Sequence, residues 1–321
     1  MSSKKILQEP AVRYFLEVVR SGSISEAASR LNVASSAISR QIAKLEASLD
    51  TLLFERTARG MQPSAAGELL AAYALRVQMD SDRVSNEIES LKGLGRGLVR
   101  VASTSGFALE FLPRIVSEFQ AIYPGIQFQL HVDTADCVAR RLREGQSDIG
   151  LTFSQAPEAD ISVHTRISAP IYAVMSSHHE LANKRHVSLK QLALYPLALP
   201  QRGILMRELF DVCCSHHGIV VEPALSGNSM STLLGFAQYN GGIALSSRLL
   251  IRNLLRSGQL SAVPLRERDL IHALSIEICT LSGRLLPAAT RAFLSYLNRS
   301  LNETDPIQGD DAESATTGSK I

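Results

Sequence analysis

Five residues within ten positions, Ser35, Ser36, Ser39, Arg40 and Lys44, carry hydroxyl and cationic groups at intervals that share one side of a helix. Hydroxyls donate and accept, and arginine or lysine adds positive charge. That combination reads base edges and grips phosphate oxygens. On the opposite side Ile38, Ile42 and Leu45 recur at i, i+4 and i+7 and demand an apolar partner. The partner lies just upstream: Ala27, Ala28 and Leu31 make the apolar face of a shorter helix. Asn32 suits the reversal between the two, and Ser35 stands where the second helix needs a cap. Two short helices crossing over a tight turn, with a basic polar face outward, form a helix-turn-helix that enters a major groove. An Ala-rich pair inside an ordinary three-helix core would show the same apolar pattern.

The residues that follow favour the groove-binding alternative. Leu52-Leu53-Phe54-Glu55-Arg56 and Met61-Gln62 flank Thr57-Ala58-Arg59-Gly60, a short β-wing with a Gly-containing turn. Arg56 and Arg59 at its tip are placed to meet phosphates. Ser64 then opens a long helix. Taken together, Phe15, Val18, Gly22, Ser23, Ala27, Ala28, Leu31, Val33, Ser36, Ala37, Ser39, Arg40, Gln41, Ile42, Leu45 and Glu46, then Leu53, Phe54, Arg56, Arg59 and Gly60, then Ala66 and Gly67, resemble the winged helix-turn-helix of LysR-type transcriptional regulators. The resemblance extends over about residues 8–300. Two departures stand out. Ala34-Ser35 occupies a place where many members carry Ser-Gln or Ser-Pro, which removes a long amide able to read an adenine edge. Pro63 precedes Ser64 where a hydrophobic residue is usual.

Composition sets bounds on the rest. The chain has 321 residues, enough for two or three domains, with ordinary apolar and charged content. It has no run of about 18 apolar residues that would span a bilayer, and Met1-Ser2-Ser3-Lys4-Lys5 does not start a signal peptide. Cys137, Cys213, Cys214 and Cys279 form no C-x-x-C pair, as suits a reducing cytoplasm. Net charge is only +2, but it is unevenly spread. Residues 1–63 carry nine basic and six acidic groups, and residues 300–321 carry one and five. A small positive module used twice by a dimer supplies phosphate contacts that one copy lacks.

The elements that must position these groups follow in order. Residues 64 to about 92 read as one helix, roughly 40 Å long. Leu70, Val77, Val84 and Leu91 recur every seven residues along it, with Tyr73, Ala74 and Ile88 on the same side. Such a narrow seam wants a second helix, either a partner copy's or one of its own domain. Gly93, Gly95 and Gly97 then read as a flexible break. Beyond Leu98 strands and helices alternate, as in an α/β domain with a mostly parallel sheet. Strands are expected near 98–103, 126–132, 148–153, 171–175, 196–199, 219–224, 242–245 and 273–280. Helices are expected near 107–122, 135–144, 189–194, 203–216, 230–239, 247–256 and 287–302.

The resemblance implies an α/β fold in four parts. Residues 1–63 would be the DNA-binding domain, and residues 64–96 the linker and dimerisation helix with its hinge. Residues 97–302 would form a two-lobed, periplasmic-binding-protein-like effector domain. Lobe one comprises 97–168 and 275–302, and lobe two 169–274, with crossovers near 166–170 and 270–276. Residues 303–321, nearly without apolar anchors, read as a disordered tail.

Ligands in open α/β sheets bind beyond the carboxyl ends of strands, where helices start. Ser103-Thr104-Ser105-Gly106 follows the first strand and suits an anion, although the same residues could simply cap the helix. The resemblance, in which this loop lines a cleft, favours the site. Gln201 and Arg202 lie in a similar loop, where Arg202 either pairs with an anionic ligand or is a solvated loop arginine. Ser229 opens another helix, and Thr134 and Phe153 are candidates from the opposite side. The effector is expected to be a small polar or anionic metabolite.

Other chemistry finds little support. His178-His179 and His216-His217 invite a zinc reading, but adjacent helical residues diverge and no further ligands complete a set. G-x-S-x-G and G-x-x-x-x-G-K-[ST] are absent, so neither an enzyme nor a cofactor is expected. The expectation is a cytoplasmic regulator, a dimer or homotetramer. Its partners would be double-stranded promoter DNA, a small-molecule effector and RNA polymerase, with no membrane. Two other classes keep the same elements: a solute-binding or catalytic module with a vestigial N-terminal unit, and an architectural regulator with an empty cleft.

Overall fold

In the computed structural model, residues 9–57, 60–91, 96–154, 158–267 and 274–302 are described. They form two compact units, Met1–Leu94 with Arg284–Ala288, and Gly95–Gly283 with Ala289–Ile321.

The first unit is built on three helices, α1 (Pro10–Ser21), α2 (Ile24–Leu31) and α3 (Ser35–Leu49). Pro10 starts α1 where its missing N–H costs no hydrogen bond. Gly22, at φ 65°, ends it and returns its N–H to Val18 O. The Ser23 hydroxyl caps α2, and Asn32 closes it at φ 54°. Phe15, Val18, Ala27, Ala28, Ile38 and Ile42 fill the core between them. Because Ala27 and Ala28 have small side chains, α2 can lie close to its neighbours.

Strands β1 (Phe54–Thr57) and β2 (Gly60–Pro63) pair antiparallel, with Phe54 opposite Pro63 and Thr57 opposite Gly60. Phe54 packs on Phe15 with ring centroids 5.1 Å apart. The Glu46 carboxylate accepts from Leu53 N at 2.8 Å, fixing the exit from α3. Helix α4 (Ala65–Leu91) starts from Ser64, whose hydroxyl accepts from Gly67 N and donates to Leu52 O. A β-carbon on Gly67 would stand 2.1 Å from Leu53 O, so no larger residue allows α4 this close to the wing.

The second unit holds two five-stranded sheets. Lobe one contains β3 (Gly97–Ser103), α5 (Ser105–Leu109), α6 (Phe111–Ile122), β4 (Ile126–Val132), α7 (Ala135–Arg143), β5 (Ile149–Ser154) and β6 (Ile161–Ser168). The chain then passes into lobe two. There it forms β7 (Ile171–Ser176), α8 (Leu189–Leu192), β8 (Leu197–Pro200), α9 (Leu205–His216), β9 (Leu225–Gly227), α10 (Met230–Gln238), β10 (Ile243–Ser247), α11 (Arg252–Arg256) and β11 (Leu260–Pro264). It returns to lobe one as β12 (Ser275–Leu281) and α12 (Ala288–Asn302). Strand order is β4-β3-β5-β12-β6 in one sheet and β11-β7-β10-β8-β9 in the other. Ala169 N donates to Leu274 O at 2.9 Å, tying the outgoing segment to the returning one.

Several expectations need correction. The sheets are mixed, not mostly parallel: β12 runs antiparallel to β5 and β6, and β7 runs antiparallel to β10 and β11. A strand re-entering lobe one comes in from the crossover end, so it must oppose β6, which leaves there. The helix expected over 107–122 is two helices that meet at Glu110. Pro113 forbids a continuous helix, since its ring would strike the carbonyl four residues earlier. No strand occupies 219–224. Pro223 donates no ladder hydrogen bond, Val220 is exposed, and only Leu225–Gly227 pairs. Ile161–Ser168 and Leu260–Pro264 are strands that were not expected. Ala34, not Ser35, is the N-cap of α3, so no side chain caps that helix. Gly97 belongs to a strand, while Gly93, Gly95 and residues 303–321 lie outside the described residues.

Candidate functional site

Helix α3 divides cleanly by exposure. Ile38 and Ile42 are buried in the core, while Ser35, Ser36, Ser39, Arg40 and Lys44 are all exposed. The Ser39 hydroxyl donates to Ser35 O at 3.1 Å, one turn back. With Ala34 as N-cap, the first N–H groups of α3 receive no side-chain oxygen. A helix end of this kind favours an anion. Arg56 lies in β1, but its side chain is outside the described residues, as is Arg59 altogether.

Along α4, Leu70, Ala71 and Ala74 pack against the head's own core. Leu70 therefore serves its own domain first. The strongly exposed apolar side chains are Leu69, Tyr73 and Ile88, while Val77 and Val84 are half-buried. Successive helical residues rotate by about 100°, which puts these five on one stripe beside Leu70. Leu91 ends the helix, and its side chain is outside the described residues.

The second site is a cleft of about 660 Å³ walled by both lobes. That volume suits a small molecule. Four helix starts converge there: Thr104–Gly106 at α5, Thr134–Asp136 at α7, Gly203–Met206 at α9, and Ser229 at α10. Ser229 accepts from Thr232 N as a cap. The Thr104 hydroxyl oxygen is buried without a partner among the described residues. Phe153, Ile204, Met206, Met230 and Leu233 supply apolar wall.

Of the expected effector residues, Thr104, Ser105, Gly106, Thr134, Phe153 and Ser229 line the cleft. Ser103, Gln201 and Arg202 do not. Ser103 is wholly buried at the end of β3. Gln201 and Arg202 are exposed in a turn completed by Gly203 at φ 86°, while Pro200 and Gly203 take the wall. The cleft's charged side chains, Asp133, Asp136, Glu158 and Glu208, went unremarked in the sequence. A signal for two of them was present, since Asp136 and Glu208 sit in first turns of helices that open on the cleft. Asp133 accepts from Thr134 N at 2.9 Å. Glu158 pairs with Arg143, which also holds Asp160 at 2.6 Å and lowers that carboxyl's pKa by hydrogen bonding.

The paired histidines sit elsewhere and make local bonds. The His179 ring accepts from Leu181 N, and His217 Nδ1 meets Cys213 O at 2.9 Å. Among the described residues, no helix is long and apolar enough to cross a membrane.

Comparison with known proteins agrees with both halves. Residues 10–68 match the family described as bacterial regulatory helix-turn-helix protein, lysR family, and residues 92–302 match the LysR substrate binding domain. Over 236 residues the chain is 29% identical to the transcriptional dual regulator GltC of Bacillus subtilis (strain 168), spanning 73% of this chain and 78% of that protein. Full-length OxyR from Pseudomonas aeruginosa superposes with a TM-score of 0.64 over 94% of this chain and 95% of its own, at 17% identity. Full-length CbnR in complex with its target DNA superposes at 0.57 over 90% and 98%, at 20% identity. At such identities the two solved structures speak for the fold alone. The relatives are transcription regulators, not enzymes. The matched head and the matched two-lobed unit together show that this chain belongs to the LysR family of DNA-binding transcriptional regulators and carries that family's substrate-binding domain.

Proposed function

We propose that the chain reads a promoter through α3, with Ser35, Ser36, Ser39, Arg40 and Lys44 in the major groove of double-stranded DNA. Arg56 and Arg59 on the wing grip the flanking phosphates. The observation that carries this reading is the division of α3, whose apolar side is buried and whose polar and basic side is wholly in solvent. The uncapped start of α3 supports it by offering N–H groups to a phosphate. CbnR, of like fold, has been solved on its target DNA.

A homodimer forms through α4, along Leu69, Tyr73, Val77, Val84 and Ile88, with Leu70 at the margin of the stripe and Leu91 at the end of the helix. Two dimers make a tetramer. A small polar metabolite occupies the cleft between the lobes, where Thr104, Ser105, Gly106, Thr134, Phe153 and Ser229 meet it. Binding shifts a two-state equilibrium in lobe geometry and, through α4, the spacing of the heads on DNA. Transcription responds through contact with RNA polymerase, in the cytoplasm.

The test is a footprint of the purified protein on its own upstream DNA and on scrambled DNA, across a salt series, with and without metabolite extract. Specific protection over more than one helical turn that changes with extract is expected. Equal, salt-fragile binding to both DNAs would overturn specific reading. A footprint indifferent to every extract, with transcription unresponsive, would overturn the coupling.

A further inference from the structure

We propose that the effector carries an ammonium group, held between Asp136 of lobe one and Glu208 of lobe two. The inference rests on the cleft being the effector site, and it concerns the charge of what binds there.

Among the described residues, the cleft wall contains four carboxylates and no lysine, arginine or histidine. Two of the four are already engaged: Asp133 by Thr134 N, and Glu158 by Arg143. Asp136 and Glu208 have neither an ion pair nor a side-chain hydrogen bond among the described residues, and both are exposed. They come from opposite lobes, Asp136 in the first turn of α7 and Glu208 in the first turn of α9. The positive end of each helix favours a negative side chain in its first turn. That explains an acid on either helix taken singly. It does not explain a wall that, among the described residues, has acids on both sides and no base.

Narrowing the cleft strips water from two like charges and brings them nearer, which opposes closure. An ammonium group between them removes the repulsion and donates hydrogen bonds to both, so it binds the closed form better than the open one. An anion placed there meets only repulsion from these side chains. The rest of the cleft fits the remainder of such a ligand. Phe153, Ile204, Met206, Met230 and Leu233 cover a hydrocarbon body. The buried Thr104 hydroxyl, lacking a partner among the described residues, suits a polar end. An amino acid or a longer amine satisfies every wall.

The experiment uses the full chain and three probe sets of matched chain length: primary alkylamines, alkanoates and ω-amino acids. Calorimetry and thermal melting are read for each. Amines and amino acids are expected to bind and raise the melting temperature, and alkanoates of equal length to do neither. Asp136→Asn with Glu208→Gln should weaken amine binding roughly tenfold or more. Both positions are exposed, so the variant should remain folded, with an unchanged circular dichroism spectrum. Alkanoates binding in preference to amines would overturn the charge assignment and leave the cleft standing as the effector site. Amine binding unchanged in the double variant would overturn it too, as would a panel in which no probe binds. The metabolite-extract footprint judges the effector reading separately.

Discussion

A β-carbon built on Gly60 would stand 2.5 Å from the carbonyl oxygen of Gly22. The same carbonyl accepts a hydrogen bond from Met61 N at 2.8 Å. The wing is thereby pinned to the turn between α1 and α2, and the approach works only because residue 60 lacks a side chain. Gly60 also sits at φ 109°, where other residues are strained.

Gly60→Ala should therefore destabilise the head by about 1–3 kcal/mol, through strain and loss of the Met61 bond. Denaturant unfolding of the full chain should show the loss in the transition of the N-terminal unit, with that of the two-lobed unit unmoved. An unchanged N-terminal transition would mean that the wing is not held through Gly22.

Arg40 is exposed on α3 and has no part in the core. Arg40→Ala should leave stability within about 0.5 kcal/mol and weaken specific DNA binding by about 1–3 kcal/mol. Ligand binding in the cleft should not change. Competition binding against scrambled DNA, beside calorimetry with the amine probes, checks both.

Asp148 is 1% exposed and pairs with Arg100, Oδ1 to Nη2 at 3.0 Å and Oδ2 to Arg100 N at 3.0 Å. The pair links β3 to the entry of β5 in the middle of lobe one. Asp148→Asn leaves the guanidinium, itself mostly buried, without its counter-charge. A loss of about 3–5 kcal/mol is expected, measured as a lower denaturation midpoint of the two-lobed unit.

The cysteines set a pH dependence. Burial pushes the Cys279 thiol up to about 12 from 9.0 and the Cys214 thiol up to about 11. Folded, both stay protonated where the unfolded chain has lost the proton. Stability should therefore be full below about pH 9 and fall as pH rises toward these values. Alkylation at pH 8 of the native protein should spare Cys213, Cys214 and Cys279, which are buried, and modify Cys137 alone. Mass spectrometry of peptides identifies the modified residue.

Tyr73 is 51% exposed and Leu69 76% exposed on α4, one turn apart. Tyr73→Glu should shift self-association toward monomer in sedimentation at micromolar protein. The head's fold should hold, since the core-facing residues of this stretch are Leu70, Ala71 and Ala74. An unchanged oligomer would place the dimer contact elsewhere.

The head was legible in the sequence because its constraints are local. Ser23, Asn32 and Gly22 act on helix ends a few residues away, and Ile38 and Ile42 repeat at helical spacing, so type and position suffice. The alternation of Ile161, Val163, Thr165 and Ile167 would have revealed β6 by the same logic. What the sequence withheld is long-range. Leu70 lies on the seven-residue seam, yet it packs on the head, because a repeat fixes a side of a helix and not the neighbour that covers it. The direction of β12 depends on which lobe the chain returns from. Arg202 follows a strand as an anion ligand should, but the turn at Gly203 leaves it in solvent. Asp136 and Glu208, 72 residues apart in the chain, face one cleft only after two lobes have folded. By itself the sequence determined the helices of the head, their polar faces and the family. Only the tertiary structure decided which charges share a cavity, since that depends on contacts between residues far apart in the chain.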